Sequence, residues 1–379
     1  MARIAREIQN GIRPYTPNFD DEVSYGIEIE FVAKTVEDET RNMSTDEYKE
    51  FLANKIFEAG EPCIVNSYTG RQYDKWQLKY DCSVELTDEQ LTSKYNGTKH
   101  WDTLEMVSPV LKGRDGLKRI EKVLNIMKKH GAMINESCGT HIHVSVNDLF
   151  TLNSIATPSN QRMRLTEAID VFADFEPVME FFVPLKRRSN KNSYCLQVQR
   201  GTMYEENVRT YTKRNQHVFD YSTASAIVNR HSKINPRNVS AINKNTFEFR
   251  MFEGCLDINR IKHWVWLCQK LTHKAVWTGG VHKQCRNDKG RNLNALFGYL
   301  RCDRDAWGRN KETIESIDFF RKEFKRNTRK VKKSIISKEQ KNNQQIVVGK
   351  IERTDCQQRF VDSKIFMHCE ESEVCNFNN

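Results

Sequence analysis

Five separate stretches of this 379-residue chain alternate apolar and polar residues with a period of two, and the residues in the polar positions constrain the fold strongly. In Tyr25–Phe31, Ile27, Ile29 and Phe31 fall on one side, and Glu28 and Glu30 fall on the other. Gln77–Glu85 sets Leu78, Tyr80, Cys82 and Val84 against Gln77, Lys79, Asp81, Ser83 and Glu85. In Leu104–Pro109, Glu105 faces away from Leu104 and Met106. Thr140–Val146 sets His141, His143 and Ser145 against Ile142, Val144 and Val146, and Thr246–Phe252 sets Glu248 and Arg250 against Phe247, Phe249 and Met251. Strands that are apolar on one side and polar on the other belong to antiparallel sheets with one covered face.

Helical patterns interleave with these strands, so the chain reads as α+β. Asp115–His130 carries an apolar stripe of Leu117, Ile120, Val123, Leu124 and Met127, with Asp115 as its cap and Gly131 as its stop. Arg162–Phe182 and Asn259–Trp277 also read as helices, the second closed by Gly279-Gly280. The expected organisation is an N-terminal arm over 1–21, a catalytic domain over 22–300, and an extension over 301–379, first basic and helical, then polar and weakly ordered after about residue 335.

Twenty Phe and six Trp supply enough apolar bulk to exclude general disorder. The chain start lacks an apolar leader core, and no apolar run approaches the ~20 residues of a membrane helix. Eleven Cys are scattered without a CxxC or a zinc-finger spacing. A soluble, cytoplasmic protein with reduced thiols is expected. The net charge of +10 is concentrated between Arg321 and Lys341, where ten basic residues face two acidic ones. That run is either a solvated helix face or a surface for a polyanion or macromolecular partner.

The polar faces carry the chemistry. A wet sheet face usually mixes Lys, Thr and other polar residues, whereas here two close acids, two close histidines and an acid–Arg pair recur. Carboxylates crowded on adjacent strands repel unless a cation sits between them. Oxygen ligands suit a hard ion such as Mg²⁺ or Mn²⁺, and Arg250 beside Glu248 suits a phosphate or carboxylate. No GxxxxGK[ST] and no dinucleotide fingerprint is present, so a nucleotide would be held on the sheet by ions and arginines.

In order along the chain, GIEIEF (26–31), YDCSVE (80–85), LEMVSPVLKGRDGL (104–117), NESCGTHIHVSV (135–146), RRSNKNSYC (187–195), HSKINPRNVS (231–240) and TFEFRMFEGCLDINRIKHWV (246–265) resemble the amidoligase family, within the fold group of glutamine synthetase and glutamate–cysteine ligase. The resemblance covers roughly 23–275 and is most specific in SCGTHIHV and FEFRMFEG. It implies a curved, mostly antiparallel sheet of the glutamine synthetase-like catalytic type, with helices on its outer face and ATP and Mg²⁺ (or Mn²⁺) on its concave face. It also implies a reaction in which ATP activates a carboxylate as an acyl phosphate and an amine displaces phosphate.

Residue by residue, the resemblance assigns Glu28 and Glu30 to metal, with Glu105 as a further ligand, Glu248 to metal or to pairing with Arg250, and Asp81 to metal or the amine. His141 and His143 go to phosphate or metal, and Arg250 to phosphate. Arg187, Arg188 and Lys233 are candidates for the carboxylate substrate, against a reading of all three as surface charge. Cys82 stands where a smaller residue is common in the family, and the basic run after Arg321 has no counterpart there. Three rival readings remain. One is a zinc hydrolase built on His141 and His143, and another is a non-catalytic nucleic-acid-associated protein. The third is a phosphotransferase with no amine step.

Overall fold

The computed structural model describes residues 23–34, 43–66, 74–95, 101–152, 158–187, 195–196, 231–235, 245–278, 293–300 and 311–343. The arm over 1–21, Arg188, Gly279-Gly280, most of the RRSNKNSYC stretch and everything beyond Asn343 lie outside these residues. The chain divides into two compact units. One comprises Phe19–Asp148 and Asn245–Gln269, and the other comprises Met1–Asn18, Leu149–Lys244 and Lys270–Asn379.

The described strands are β1 (Tyr25–Lys34), β2 (Cys63–Val65), β3 (Trp76–Tyr80), β4 (Trp101–Val107), β5 (Ala132–Met133), β6 (Gly139–Ser145), β7 (Ile234–Asn235) and β8 (Thr246–Glu253). All but β7 belong to the first unit, where they form an open sheet in the order β2-β3-β4-β1-β6-β8, with β5 also on β1. Every pairing within it is antiparallel except β2 with β3. Directly paired residues share a face, so the ladders carry the alternation across the sheet. Leu78, Met106, Ile29, Ile142, Phe249, Phe247 and Val144 are all buried on one side.

Helices α1 (Thr45–Glu58) and α3 (Gly113–Lys129) belong to the same unit, as does the short α2 (Asp88–Tyr95). Ser44 and Glu47 form a reciprocal capping box at the start of α1, and Tyr48 on its inner face donates to the His130 carbonyl at 2.7 Å. Helix α3 buries Ile120, Val123, Leu124 and Met127, as its stripe predicts. It starts two residues before Asp115, behind Lys112, so Asp115 lies in the first turn, bonded to Lys118, and is not the cap. Gly131 does end it, at φ 94°, a conformation that suits glycine.

Two departures from strict alternation shape the polar face. Strand β3 stops at Tyr80, so the expected run to Glu85 is a strand followed by a turn, and Tyr80 is 54% exposed where a buried face was expected. Gln77 departs in the other direction: it is buried, its side-chain oxygen taken by Asn66 Nδ2 at 3.1 Å. In the β6/β8 ladder, Ile142 pairs with Phe249 but Thr140 pairs with Phe252. One extra residue of β8 therefore bulges opposite His141, at Arg250-Met251, and Phe252 returns to the core to stack on Trp264.

In the second unit, α5 (Pro158–Met179) runs into a 3₁₀ turn at Glu180–Phe182, so the helix expected over Arg162–Phe182 starts earlier and tightens at its end. Helices α4 (Val146–Leu152) and α6 (Ile258–Thr278) cross the division between the units, and α7 (Leu293–Tyr299) lies wholly in the second. The basic run lies on α8 (Lys311–Asn343), whose helix extends past residue 335, where weak order was expected. Its inner face packs Phe320 and Phe324 on Phe182 and Phe181, with ring centroids 4.6 and 5.2 Å apart. Asn327 Nδ2 donates to the Phe181 carbonyl at 3.0 Å.

Candidate functional site

The ladder registers bring the acids and imidazoles together because polar positions of neighbouring strands fall opposite one another. Glu28 on β1 pairs with His141 on β6, Glu30 on β1 with Glu105 on β4, Lys79 on β3 with Glu105, and His143 on β6 with Glu248 on β8. The result is a continuous strip of ionisable groups across β3, β4, β1, β6 and β8.

His141 sits at the middle of the strip. Its Nδ1 lies 3.2 Å from Glu28 Oε2 and its Nε2 lies 3.2 Å from Glu30 Oε1, so both ring nitrogens face carboxylates. Burial and Arg250 work against the imidazolium, but the Glu30 charge and the hydrogen bonds that the ring donates to Glu28 and Glu30 outweigh them, raising its pKa to about 9. His143 is placed differently: its Nδ1 is 3.2 Å from Thr246 Oγ1 and its Nε2 is 3.1 Å from Glu28 Oε1.

Glu30 is buried and accepts the Gly139 backbone N–H at 2.5 Å. Gly139 is kept in place from the far side, where Gly254 N donates to the Cys138 carbonyl at 2.7 Å. A side chain at Gly254 would meet Cys138 Cβ at 2.5 Å, so only glycine permits that approach. Glu248 accepts from Arg250 Nη1. Burial opposes its charge, but Arg250 and His143 prevail and hold its carboxyl below the ordinary range.

Asp81 leaves the end of β3 with its backbone N–H on the Thr103 carbonyl at 3.1 Å. Its Oδ1 accepts from Ser83 N and Ser83 Oγ, each at 2.7 Å, which forms the turn that ends the strand. Ser137 and Asn135 clasp the following backbone: Ser137 Oγ accepts from Glu85 N at 2.9 Å and Asn135 Nδ2 donates to the Glu85 carbonyl at 2.6 Å. Glu105 lies between Glu28 and Asp81. Burial first, then those two like charges, push its carboxyl up to about 8.

Among the described residues, three overlapping groups each offer ligand atoms within 4.8 Å of one another: Glu30, Asp81 and Glu105; Glu28, Glu105 and His141; and Glu28, His143 and Glu248. The donor chemistry fits a divalent cation, because crowded carboxylates of this kind raise one another's pKa until a cation separates them.

The structure thus gathers Glu28, Glu30, Asp81, Glu105, His141, His143, Glu248 and Arg250 in one unit. Arg187 and Lys233 lie in the other unit, both buried. Lys233 is fully buried, its ammonium 2.5 Å from Glu180 and 3.6 Å from Glu176. Sequence reasoning missed Thr246, Ser83, the Gly139 N–H and the Asn135–Ser137 clasp. For Ser83 a signal existed, since Asp-x-Ser is the spacing of a side-chain-closed turn. For the others the contact is made across strands and leaves no local trace.

A family model described as "Putative amidoligase enzyme" matches residues 21–272, which include the whole strip. No curated protein matches the chain significantly. Among solved structures, a bifunctional glutathione synthetase from Pasteurella multocida is similar at 11% identity and a TM-score of 0.41, over 86% of this chain and 49% of that one. The chain therefore spans about half the length of that protein.

Proposed function

The chain belongs to the amidoligase family, and we propose that it is an ATP- and magnesium-dependent carboxylate–amine ligase working on the polar face of its sheet. The observation that carries this reading is the convergence of Glu28, Glu30, Asp81, Glu105, His141, His143 and Glu248 into overlapping ligand groups beside Arg250. When bound, ATP with Mg²⁺ or Mn²⁺ would supply phosphoryl activation of the carboxylate as an acyl phosphate, from which the amine would displace phosphate to leave the amide.

In this reading Glu28, Glu30, Glu105 and Glu248 hold metal. Asp81, fixed through one oxygen by Ser83, offers the other to metal or to the amine. Arg250, lifted by the β8 bulge opposite His141 and steadied by Glu248, neutralises phosphate charge. His141, bridging Glu28 and Glu30, keeps the two acids apart and presents positive charge to the transferring phosphoryl group. His143 is the imidazole ligand.

Lys233 serves as a buried ion pair, and the carboxylate-holding role stays with Arg187 and Arg188. The sheet is read as the curved glutamine synthetase type, and the setting as cytoplasmic. No described helix is long and apolar enough to cross a membrane. Helix α8 exposes Lys322, Lys325, Arg326 and Arg329 opposite its packed face, a surface for a polyanion or macromolecular partner. A zinc hydrolase built on both histidines fits less well, because Glu28 and Glu30 already engage both nitrogens of His141.

The test measures phosphate release from ATP with Mg²⁺ across pooled amino acids, polyamines and small peptides. Products are read by mass spectrometry, with Glu30→Ala as control. Amine-dependent release with a product lighter than its parts by one water is the expected result. Release that is independent of any amine, with a stable phosphorylated product, would make the chain a phosphotransferase. Tightly bound zinc with no ATP dependence would overturn the ligase reading.

A further inference from the structure

His143 is 8% exposed, and its two ring nitrogens meet very different surroundings. Nδ1 faces the Thr246 hydroxyl on the neighbouring strand at 3.2 Å. Nε2 is buried, makes no hydrogen bond and lies 3.1 Å from Glu28 Oε1. His143, Glu28 and Glu248 form one of the three groups whose ligand atoms lie within 4.8 Å of one another.

An imidazole that binds a cation is neutral and carries one N–H. Placed on Nε2, the proton would occupy the lone pair that a cation beside Glu28 and Glu248 needs. Placed on Nδ1, it has an acceptor in Thr246 Oγ1, and the Nε2 lone pair then faces two carboxylates, an arrangement that a cation stabilises. Thr246 pairs with Ser145 and stands two residues before Glu248 on β8, so the same strand supplies a ligand and the group that orients its neighbour.

We infer that Thr246 is a positioning residue: its hydroxyl accepts the Nδ1 proton of His143 and so presents the Nε2 lone pair, beside Glu28 and Glu248, to a divalent cation that takes nitrogen as well as oxygen ligands. This inference rests on the metal-site reading above. Metal-bound histidines usually have such a partner on their second nitrogen, and its loss weakens metal affinity 10–100-fold. The all-oxygen group of Glu30, Asp81 and Glu105 has no histidine for Thr246 to orient, so the two groups respond differently.

The experiment titrates the full chain with Mn²⁺ and reads free ion by electron paramagnetic resonance, comparing wild type with Thr246→Val and Thr246→Ser. Thr246→Val should lose about 10–100-fold in affinity at one Mn²⁺ site and leave another unchanged, and Thr246→Ser should restore the loss. Pulsed measurements should show imidazole-nitrogen coupling to bound Mn²⁺ in the wild type. Melting without metal checks the fold, and Thr246→Ala replaces the Val variant if that does not fold. Equal Mn²⁺ affinity in wild type and Thr246→Val would overturn the role of Thr246 and leave the metal site standing. No Mn²⁺ binding by the wild type would overturn both.

Discussion

Glu61 and Glu105 are carboxylates of the same structural unit with opposite fates. Glu61, between α1 and β2, is buried but accepts from Arg119 Nε at 2.8 Å, Trp76 Nε1 at 3.2 Å and Lys122 Nζ at 3.2 Å. Burial alone would raise its pKa, but these donors prevail and the carboxyl is held below its ordinary value. Glu105, on the polar face, has Glu28 and Asp81 as neighbours, and its carboxyl is pushed up to about 8. The first acid is completed by its own chain. The second sits among like charges that Lys79 and His141 only partly offset, which is the setting that the proposed metal site requires.

The largest expected effect is on turnover. Glu30→Gln should cut ATP-dependent amide formation by about 10²-fold or more and lower the melting temperature a little, because the buried His141 loses one of its charged partners while the amide oxygen can still accept the Gly139 N–H. A folded variant with full turnover would break the contrast.

Divalent ion should come next. Mg²⁺ or Mn²⁺ at a hundred times its dissociation constant should stabilise the wild type by about 2.7 kcal/mol, read as a rise in melting temperature, and Glu105→Gln should lose much of that gain. The same ion should not distinguish Glu61→Gln from wild type.

Glu61→Gln should itself destabilise the protein by about 1–3 kcal/mol, toward the lower end because Arg119 and Lys122 are partly exposed, while turnover per folded molecule stays unchanged. Denaturant unfolding at neutral pH would measure this.

The smallest effect is its pH dependence. Because the folded pKa of Glu61 is depressed, its contribution is complete above the unfolded value of 4.5 and is lost as pH falls below that toward the folded pKa. The gap between wild type and Glu61→Gln should therefore close on acidification below pH 4.5, and a gap that widened there would contradict the assignment.

Much of the site was legible as strand alternation. The positions of Glu28, Glu30, Glu105, His141, His143 and Glu248 on one face follow from period two, since side chains of a strand cannot do otherwise once the apolar face is buried. What misled was the assumption that alternation persists. Past Tyr80 the Asp81–Ser83 hydrogen bonds turn the chain, and at Arg250-Met251 a bulge shifts the register, and neither interrupts the run of apolar and polar letters.

Residue chemistry and spacing alone determined that this chain makes a sheet with a face rich in acids, histidines and an arginine, because covalent geometry alternates side chains and water sorts the two faces. Which acid meets which histidine, that Thr246 reaches His143, and that Glu61 is neutralised while Glu105 is not, were decided only by tertiary structure. Those contacts join residues tens to more than a hundred positions apart, and strand order and register, which no local pattern encodes, set their distances and hence their charge states.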